Sequence, residues 1–298
     1  MTVATLDGQT QLVGILGWPV AHSLSPTMHN AAFAYAGLNW RYVPLPVQPG
    51  HNLDAALKGL VALGFRGANI TVPYKVDAIP LLDSITEAVT IVGAVNTIRI
   101  DHNTGKIEGM NTDMTGFLAD LAQNRVSMGK NTRALILGAG GAARAIAAGL
   151  VRSGAHVTIV NRTVTKAEAI VGFIRSSWAN PDINAVSMED LSMVAWDANL
   201  IVNATPVGMW PDTETSPWPE RVPFPPGAVV YDSIYRPLKT KLMRQAEAAG
   251  LRAVGGLGML VYQGASAYEV WTGKKAPVDV MKLVCQQALM EDSRPGPF

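Results

Sequence analysis

The chain has 298 residues, of which 48% are hydrophobic and 16% are charged. This composition is typical of folded proteins with a large core, and the length is sufficient for about two domains. With 24 basic and 23 acidic residues the formal net charge is +1, which gives no indication of a nucleic acid or an anionic membrane as partner. The single cysteine, Cys285, excludes an intramolecular disulfide and favours the reducing cytoplasm as location.

The sequence contains no pattern typical of export, membrane insertion or metal binding. Residues 1–7 lack the basic and apolar regions of a secretory signal peptide. No apolar run approaches the ~20 residues that a membrane-spanning helix needs. One cysteine and five scattered histidines offer no metal-ligand spacing, so we expect neither a metal nor a membrane as partner.

The first third of the chain alternates short apolar strands with helices. Strands are predicted from apolar runs at residues 12–16, 40–45 and 67–72. A hairpin is predicted at residues 94–100 and 106–109. Helices are predicted between these strands, at residues 25–37, 53–63 and 86–92. The first helix is expected to have Ser25 as its N-cap and Pro26 at its first position.

The rest of the chain repeats this alternation more regularly, which is the pattern of a doubly wound parallel sheet. Strands are predicted at residues 134–137, 157–160, 200–203 and 229–232. The proline-rich residues 211–226 are expected to form a surface excursion. A last helical region begins near Met259, breaks near Gly273 and resumes after Pro277, and we expect the C-terminal helix to pack back on the first domain.

A glycine-rich turn separates the strand at 134–137 from the next helix. Residues 138–144 read Gly-Ala-Gly-Gly-Ala-Ala-Arg, and this strand, turn and helix are the context in which a dinucleotide pyrophosphate binds at a helix N-terminus. Gly138 allows the tight turn, Gly140 lets the backbone approach the phosphates, and Ala143 keeps helix and strand close. The pattern predicts a Rossmann-type nucleotide domain.

The residues after the next strand favour NADP over NAD as the cofactor. An NAD site usually has an acidic residue there, which binds the ribose 2′-hydroxyl. This chain instead has Asn161, Arg162 and Thr163, with Lys166 shortly after them. A guanidinium group is well suited to the 2′-phosphate of NADP.

Outside the nucleotide motif, polar residues cluster at predicted strand ends and turns, where α/β proteins build their sites. The clusters are Ser23 to Ser25, Asn69 to Lys75, Asn96 to Thr97, Asn111 to Asp113 and Gln263. Their hydroxyl, amide, ammonium and carboxylate groups suit a small substrate that is rich in hydroxyl groups.

Ordered motifs along nearly the whole chain resemble those of the shikimate dehydrogenases. The first consists of residues 17–26, Gly-Trp-Pro-Val-Ala-His-Ser-Leu-Ser-Pro, followed by His29 and Asn30. The others follow in order at residues 67–75, 93–97, 109–113, 161–163, 203–209, 231–235 and 258–263. One such motif alone would be weak evidence, whereas the ordered series makes the resemblance specific.

The resemblance implies a reversible reduction of 3-dehydroshikimate to shikimate by NADPH, a step of aromatic amino acid biosynthesis. It is consistent with an α/β fold of two α/β domains. Residues 1–112, with 257–298 returning to them, are predicted to form a substrate-binding domain with a mainly parallel sheet. Residues 113–256 are predicted to form the Rossmann-type NADP-binding domain. We expect a monomer or a homodimer.

The resemblance also implies roles for individual residues. The catalytic pair is expected to be Lys75 and Asp113, beside the reacting C3 oxygen. The substrate is expected to contact Ser23, Ser25, Asn69, Thr71, Asn96, Tyr235 and Gln263. The cofactor is expected to contact Gly138, Gly140, Gly141, Ala142, Arg144, Asn161, Arg162, Thr163, Lys166, Thr205, Gly256 and Met259. Lys166 departs from the family pattern, because relatives often have an arginine there that stacks on the adenine, and a lysine cannot form the same planar stack.

The expected chemistry explains why an ammonium group is needed. As a hydride reaches the carbonyl carbon, negative charge grows on the oxygen, and a cationic donor stabilises this charge and delivers the proton. Lys75 is the only ammonium group of the polar set, and Asp113 would orient it. The cofactor supplies the hydride, so the protein contributes positioning and proton handling.

Each of these residues has an ordinary structural explanation when it is taken alone. Lysines are usually exposed, an acid such as Asp113 is favoured in the first turn of a helix, and asparagines beside strands commonly bond the backbone. His22 and His29 are expected to be structural, because the family pattern gives them no chemical step. Only the joint pattern favours the functional interpretation.

Two other functions stay open at this point. One is an NAD-dependent quinate/shikimate dehydrogenase, against which Arg162 and the missing acidic residue argue. The other is a non-catalytic NADP-binding sensor on the same fold, against which the presence of both Lys75 and Asp113 argues.

Overall fold

Two six-stranded sheets organise residues 6–292, the part of the chain that the computed structural model describes. Each sheet belongs to a separate compact unit. The first unit comprises the described residues up to Thr112 together with those from Val261 onward, and the second unit comprises Asp113–Leu260. None of the helices within residues 6–292 is long and apolar enough to cross a membrane.

The sheet of the first unit mixes parallel and antiparallel pairs. Its strands are β1 (Gln11–Gly17), β2 (Trp40–Pro46), β3 (Gly67–Ile70), β4 (Ser84–Ile85), β5 (Thr97–Ile100) and β6 (Ile107–Met110). They lie in the order β2-β1-β3-β5-β6-β4. The pairs β1–β2, β1–β3 and β4–β6 are parallel, whereas β3–β5 and β5–β6 are antiparallel. The predicted hairpin and the mainly parallel sheet are both confirmed.

Helices cover this sheet and include the end of the described chain. They are α1 (Ser25–Tyr35), α2 (Leu53–Ala62), α3 (Glu87–Val92), the part of α9 (Leu257–Thr272) from Val261 onward, and α10 (Val278–Asp292). The C-terminal helix α10 packs against α1, as the fold prediction requires. The side chain of Asn52 caps α2 by accepting a hydrogen bond from the Ala55 N–H at 3.1 Å.

The prediction of Ser25 as the N-cap of α1 is wrong. The cap position is Leu24, no side-chain hydrogen bond caps the helix, and Pro26 lies in its first turn. Ser25 is the buried first residue of the helix, and its side chain hydrogen-bonds to Tyr42. A serine before a proline is a frequent cap, but here the hydroxyl bonds a residue of β2 instead of the free N–H groups of its own helix.

The sheet of the second unit is entirely parallel. Its strands are β7 (Arg133–Leu137), β8 (His156–Asn161), β9 (Ile183–Ser187), β10 (Leu200–Asn203), β11 (Val229–Asp232) and β12 (Arg252–Gly255). They lie in the order β12-β11-β10-β7-β8-β9. This is a doubly wound order whose switch point lies between β7 and β10, so the predicted Rossmann-type unit is confirmed. The sheet contains β9 and β12 in addition to the four predicted strands.

Helices pack on both faces of this sheet around two apolar clusters. They are α4 (Asp113–Gln123), α5 (Gly141–Arg152), α6 (Val164–Ser177), α7 (Leu191–Ala195), α8 (Lys241–Ala248) and the first residues of α9. Ala143 on α5 is fully buried, which is the close helix–strand packing predicted for this position.

The proline-rich segment 211–226 contributes to the core, so its interpretation as a mere surface excursion is wrong. Trp218 is 2% exposed and stacks on Phe224 with ring centroids 4.7 Å apart. Its Nε1 donates to the Val222 carbonyl at 2.8 Å. Turn residues predict an exposed loop, but a tryptophan with an aromatic partner and a satisfied N–H buries a large apolar area.

Candidate active site

A cavity of about 640 Å³ lies at the carboxyl ends of the strands in the second unit, where doubly wound sheets bind ligands. The loops after β7, β8, β9 and β10 contribute to it. The lining residues are Gly138, Ala139, Gly140, Asn161, Arg162, Thr163, Lys166, Met188, Ala204, Thr205, Pro206, Val207, Ser216, Pro217 and Pro219. Seven of these were predicted as cofactor ligands from the sequence: Gly138, Gly140, Asn161, Arg162, Thr163, Lys166 and Thr205.

Gly138 and Gly140, in the turn after β7, are glycines for different physical reasons. Gly138 has a φ of +106°, and a Cβ there would lie 2.8 Å from Cγ2 of Thr205 and 3.1 Å from the Ala204 carbonyl group. Gly140 is the cap residue of α5 with a negative φ, and a Cβ there would meet no protein atom within 4 Å. Gly138 is therefore required by the fold, whereas Gly140 leaves open space at a helix N-terminus, where anions bind.

One end of the cavity is positively charged. Arg162 and Lys166 are exposed cavity-lining residues, and none of the lining residues is acidic. The Asn161 side chain donates to the Thr163 carbonyl at 2.8 Å, which holds the turn between β8 and α6. Two cations beside a turn without a carboxylate form an environment that favours a phosphate group.

A buried network anchors the loop after β10 behind the cavity. Asn203 Oδ1 accepts from the backbone N–H and the hydroxyl of Thr205, at 2.9 and 2.7 Å. Its Nδ2 donates to Asp232 at 2.9 Å, and the Thr240 hydroxyl and the Ile234 N–H donate to the same carboxylate at 2.6 and 3.1 Å. Burial raises the pKa of Asp232 to about 6, against the effect of these bonds. The network fixes Thr205 at the cavity wall.

Five predicted cofactor residues do not line this cavity: Gly141, Ala142, Arg144, Gly256 and Met259. The Arg144 guanidinium lies over the ring of Phe173, 5.7 Å from its centroid, and partial burial lowers the pKa of this arginine. A Cβ at Gly256 would lie 2.2 Å from the Ser233 carbonyl oxygen, so backbone packing explains this glycine. Met259 packs in an apolar cluster of the second unit, 7% exposed.

Sequence reasoning missed one wall of the cavity. Ser216, Pro217 and Pro219 line it, although they belong to the proline-rich segment that was expected to be a surface excursion. The Ser216 hydroxyl donates to Oε1 of Gln245 at 2.5 Å and accepts from the Trp218 N–H at 3.2 Å. No nucleotide-binding pattern marks these residues, and the burial of Trp218 between them holds this segment at the cavity.

In the first unit, buried polar side chains form one hydrogen-bonded network around β3 and β5. Asn69 Nδ2 donates to the Thr97 hydroxyl at 3.0 Å and to the Asn96 carbonyl at 3.2 Å. Asn96 Oδ1 accepts from the Thr112 N–H at 2.7 Å, and its Nδ2 donates to the Thr112 hydroxyl at 2.9 Å and to Gln263 Oε1 at 3.4 Å. Three predicted substrate ligands, Asn69, Asn96 and Gln263, thus meet in one cluster.

Tyr42 connects the two predicted serine ligands to this network. Its hydroxyl donates to Asn69 Oδ1 at 2.7 Å, and the Ser25 side chain hydrogen-bonds to it. The Ser25 N–H donates to the Ser23 hydroxyl at 3.2 Å. Sequence reasoning did not select Tyr42, because nothing in a strand pattern marks a tyrosine as the partner of two distant polar residues.

Thr97 and Thr112 are also members of the network that the site prediction omitted. Each directly follows an asparagine in a quoted motif, Asn96 or Asn111, so the motifs contained the signal. The Asn111 side chain is buried and donates to the Ala94 carbonyl at 2.8 Å, which is a structural role.

Thr71 and Lys75 lie in the segment after β3. The Thr71 N–H donates to the Leu16 carbonyl at 2.9 Å, and the Lys75 carbonyl accepts from the Val95 N–H at 2.7 Å. A Cβ at Gly17 would lie 2.3 Å from Cγ2 of Thr71, so the glycine of the first motif makes room for this threonine. The backbone of the segment is thereby held between β1 and the start of the hairpin, with both side chains partly exposed.

Asp113 and Tyr235 belong to the second unit. Asp113 is the buried first residue of α4, directly after Thr112 of the buried network. Tyr235 follows β11 and is half-buried. In the first unit, burial lowers the pKa of His29 to about 3, so this histidine is neutral and acts in no proton transfer near neutral pH. Within residues 6–292, no group of three or more His, Cys, Asp or Glu residues is placed to hold a metal ion.

Comparison with known proteins identifies the family. The model for the shikimate dehydrogenase substrate binding domain matches residues 15–98. The model for shikimate / quinate 5-dehydrogenase matches residues 120–208, and that for the shikimate 5′-dehydrogenase C-terminal domain matches residues 256–282. Shikimate dehydrogenase (NADP(+)) of Moorella thermoacetica is 45% identical over 95% of this chain and 95% of its own length. The chain belongs to the shikimate dehydrogenase family.

Two further comparisons agree with this result. Shikimate dehydrogenase (NADP(+)) of Methanopyrus kandleri is 41% identical over 97% of this chain and 98% of its own length. The structure of shikimate 5-dehydrogenase from Thermus thermophilus, in complex with NADP(H) and shikimate, is 38% identical. The match covers 94% of this chain and 100% of the Thermus thermophilus chain, with a TM-score of 0.83. The predicted family and the predicted fold are confirmed.

Proposed function

We propose that the protein is an NADP-dependent shikimate dehydrogenase, which reduces 3-dehydroshikimate reversibly to shikimate. The observation that carries this proposal is the cavity of the second unit in a chain of this family. It combines a glycine turn at a helix N-terminus with two exposed cations and no acidic lining residue. The names of the relatives from Moorella thermoacetica and Methanopyrus kandleri support the same activity.

The cofactor is assigned to the second unit, Asp113–Leu260, which contains the predicted NADP-binding domain of residues 113–256. The turn at Gly138 to Gly140 and the N–H groups that begin α5 hold the pyrophosphate. Arg162 and Lys166 bind the 2′-phosphate, and an NAD ribose finds no carboxylate partner among the lining residues. The proposal includes Arg144, Gly256 and Met259 only through the family resemblance, since none of them lines the cavity.

The substrate is assigned mainly to the first unit, which falls within the predicted domain of residues 1–112 with 257–298 returning to them. The Ser23 hydroxyl donates to the substrate carboxylate, and the family resemblance assigns Ser25 to the same group. The amides of Asn69, Asn96 and Gln263, which the protein already holds through hydrogen bonds, bind the ring hydroxyls. Thr71 and Tyr235 complete the set by family resemblance. Side chains held in this way bind a small polyhydroxy acid without first having to be ordered.

The proton transfer is assigned to Lys75 and Asp113. NADPH supplies the hydride for the C3 carbon when it is bound. The Lys75 ammonium donates a hydrogen bond to the C3 oxygen, stabilises the negative charge that develops there and gives up its proton to form the hydroxyl. In the direction of oxidation the neutral amine takes this proton back. Asp113 orients the ammonium group and favours its charged form.

We further propose that the protein acts in the cytoplasm, as a monomer or a homodimer. The location is supported by the single cysteine, Cys285, which is buried and forms no disulfide.

The first experiment combines the purified protein with shikimate or quinate, each with NADP+ or NAD+, and follows nicotinamide reduction by absorbance. The proposal requires rapid turnover with shikimate and NADP+ and much slower turnover in the other three mixtures. Comparable turnover with quinate or NAD+ would instead identify a quinate/shikimate dehydrogenase of broader specificity. Tight NADP+ binding without any turnover would identify a non-catalytic sensor.

A further inference from the structure

Helix α1 contacts one buried tyrosine of β2 at three different points. The Ser25 side chain hydrogen-bonds to the hydroxyl of Tyr42. The imidazole of His29 stacks on its ring with centroids 4.5 Å apart and planes 1° from parallel. Asn30 binds its backbone twice, because Nδ2 donates to the Tyr42 carbonyl at 2.9 Å and Oδ1 accepts from the Tyr42 N–H at 2.9 Å. The hydroxyl, the ring and the backbone of Tyr42 are thus each contacted by a different residue of α1.

This arrangement accounts for a part of the first sequence motif that the proposed reaction does not use. Ser25 and His29 are four residues apart, so both lie on the same face of α1, and Asn30 follows directly. His29 makes no hydrogen bond through either ring nitrogen and is neutral, so its contribution to the structure is the surface of its ring. The stacking of its ring on Tyr42 therefore explains why a histidine is buried at this position.

The position of Tyr42 is also constrained from the side of α9. Tyr42 is 1% exposed, and the indole of Trp271 lies against its ring in a tilted arrangement with centroids 6.0 Å apart. The Trp271 Nε1 donates to the Ile98 carbonyl at 3.0 Å, which fixes the indole in turn. The Tyr42 ring is therefore packed against both the imidazole of His29 and the indole of Trp271, which restricts the position of its hydroxyl.

The hydroxyl of Tyr42 holds the oxygen end of the Asn69 amide. It donates to Asn69 Oδ1 at 2.7 Å, while both Nδ2 hydrogens are taken by the Asn96 carbonyl and the Thr97 hydroxyl. The oxygen end of the amide must face Tyr42, since the reverse orientation would place Oδ1 against the Asn96 carbonyl oxygen and lose that bond. One lone pair of Oδ1 is left to accept a hydrogen bond from a substrate hydroxyl.

We propose that Tyr42 is a positioning residue for the substrate, which holds the Ser25 side chain and the Asn69 amide at a fixed spacing. The inference rests on the proposed function, because that function assigns Ser25 and Asn69 to shikimate. The proposed function assigns no contact with substrate or cofactor to Tyr42 itself. By fixing two ligands that come from different parts of the chain, it lets them bind shikimate without the entropic cost of ordering them.

The test is the variant Tyr42→Phe, which removes the hydroxyl and keeps the ring that stacks on His29. Steady-state kinetics give kcat and the two KM values, isothermal titration gives the Kd for shikimate, and thermal unfolding reports folding. We expect the KM and Kd for shikimate to rise about tenfold, because two buried groups lose their partner. We expect kcat to stay within about threefold of wild type, because the bound substrate and the transition state lose the same binding energy. We expect the KM for NADP+ to stay within about twofold, because the cofactor cavity is unchanged.

The matched control is Tyr231→Phe. Tyr231 is fully buried in the second unit, and its hydroxyl donates to Asp120 at 2.7 Å, so the variant also loses one buried tyrosine bond. A purely structural effect lowers the unfolding temperature in both variants and leaves the shikimate KM and Kd at their wild-type values in both. The positioning role requires the tenfold change only in Tyr42→Phe.

A second variant, Asn30→Ala, releases the backbone of Tyr42 and keeps its hydroxyl. We expect the shikimate Kd to rise about threefold, since the Tyr42 backbone loses its hydrogen bonds to the Asn30 side chain. If Tyr42→Phe does not fold, this variant provides the test. Shikimate constants within twofold of wild type in the folded variants would overturn the positioning role alone. A wild-type protein that neither binds nor oxidises shikimate would overturn the proposed function, and the positioning role with it.

Discussion

The cofactor cavity of the second unit and the polar network of the first unit are built from different kinds of groups. The cavity presents backbone at Gly138 and Gly140 and the exposed charges of Arg162 and Lys166. The network consists of buried amide and hydroxyl side chains that hydrogen-bond to one another within the protein, as the three bonds of Asn69 show.

This difference has consequences for how each region tolerates change. An exposed cation attracts a phosphate through solvent, so its loss weakens binding by a moderate amount that salt reduces. A buried amide that loses one partner leaves another polar group unsatisfied, which costs stability as well as binding. Substitutions in the cavity should therefore act mainly on the cofactor, whereas those in and around the network should act on substrate binding and on folding.

The largest effect is expected for Lys75→Ala. Removal of the group that donates the proton should lower kcat by roughly 10²–10⁴-fold with a smaller change in the KM for shikimate. Lys58→Ala is the control, because Lys58 is an exposed residue of α2 that pairs with Asp54. Steady-state kinetics on both variants decide the assignment, and near-normal turnover of Lys75→Ala would remove Lys75 from the mechanism.

Arg162→Ala tests whether the cavity selects its cofactor by charge. A charge-assisted bond contributes about 1.5–3 kcal/mol, so we expect the KM for NADP+ to rise by at least about tenfold while the KM for NAD+ stays nearly constant. The exposed Arg152 at the end of α5, which does not line the cavity, provides the control Arg152→Ala. Added salt should shrink the difference. Equal losses for both cofactors would contradict the assignment.

His29→Leu tests how the free energy of unfolding depends on pH through the buried histidine beside the network. An unfolded histidine takes up a proton near pH 6.5, whereas burial lowers the pKa of folded His29 to about 3. Between these values the unfolded state binds more protons, so stability falls as the pH falls, by about 2 kcal/mol between about pH 7.5 and about pH 5. Urea unfolding at both pH values should show that, on acidification, wild type loses about 2 kcal/mol relative to His29→Leu.

Two features make this comparison specific. Asp232, whose pKa burial raises to about 6, gains stability as the pH falls, but it is present in both proteins and cancels. His102, exposed in the turn of the hairpin, gives the control His102→Leu, which should keep the acid sensitivity of wild type. An unchanged pH dependence in His29→Leu would show that His29 is not the neutral buried group inferred above.

Glycine substitutions in the turn after β7 and in α6 separate space that the cofactor needs from space that the fold needs. Gly140→Ala should raise the KM for NADP+ about tenfold, because a methyl group would occupy the space that a phosphate needs, and leave the unfolding temperature unchanged. Gly138→Ala should lower stability by more than about 1 kcal/mol, because of its positive φ and the 2.8 Å approach to Thr205. Gly172→Ala, where a Cβ meets nothing within 4 Å in α6, should stabilise by about 0.5–1 kcal/mol. A destabilised Gly140→Ala would contradict the open space inferred there.

By itself, the sequence determined the features that depend on consecutive residues. The strand before Gly138, the glycine turn and the helix after it predict a nucleotide unit because their order is local and each step has its own chemistry. Arg162 in place of an acidic residue favours NADP for the same reason. The ordered motifs predicted the family and the two-unit fold, and these predictions are confirmed.

Tertiary structure decided the partners of side chains that are far apart in the chain. Ser25 was expected to cap its helix and instead bonds Tyr42, and Tyr42 meets Asn69 across 27 residues. Ser216 reached the cavity wall from a segment whose composition indicated only a loop. A hydroxyl or an amide bonds whichever partner packing brings within about 3 Å, and local periodicity contains no information about which one that will be.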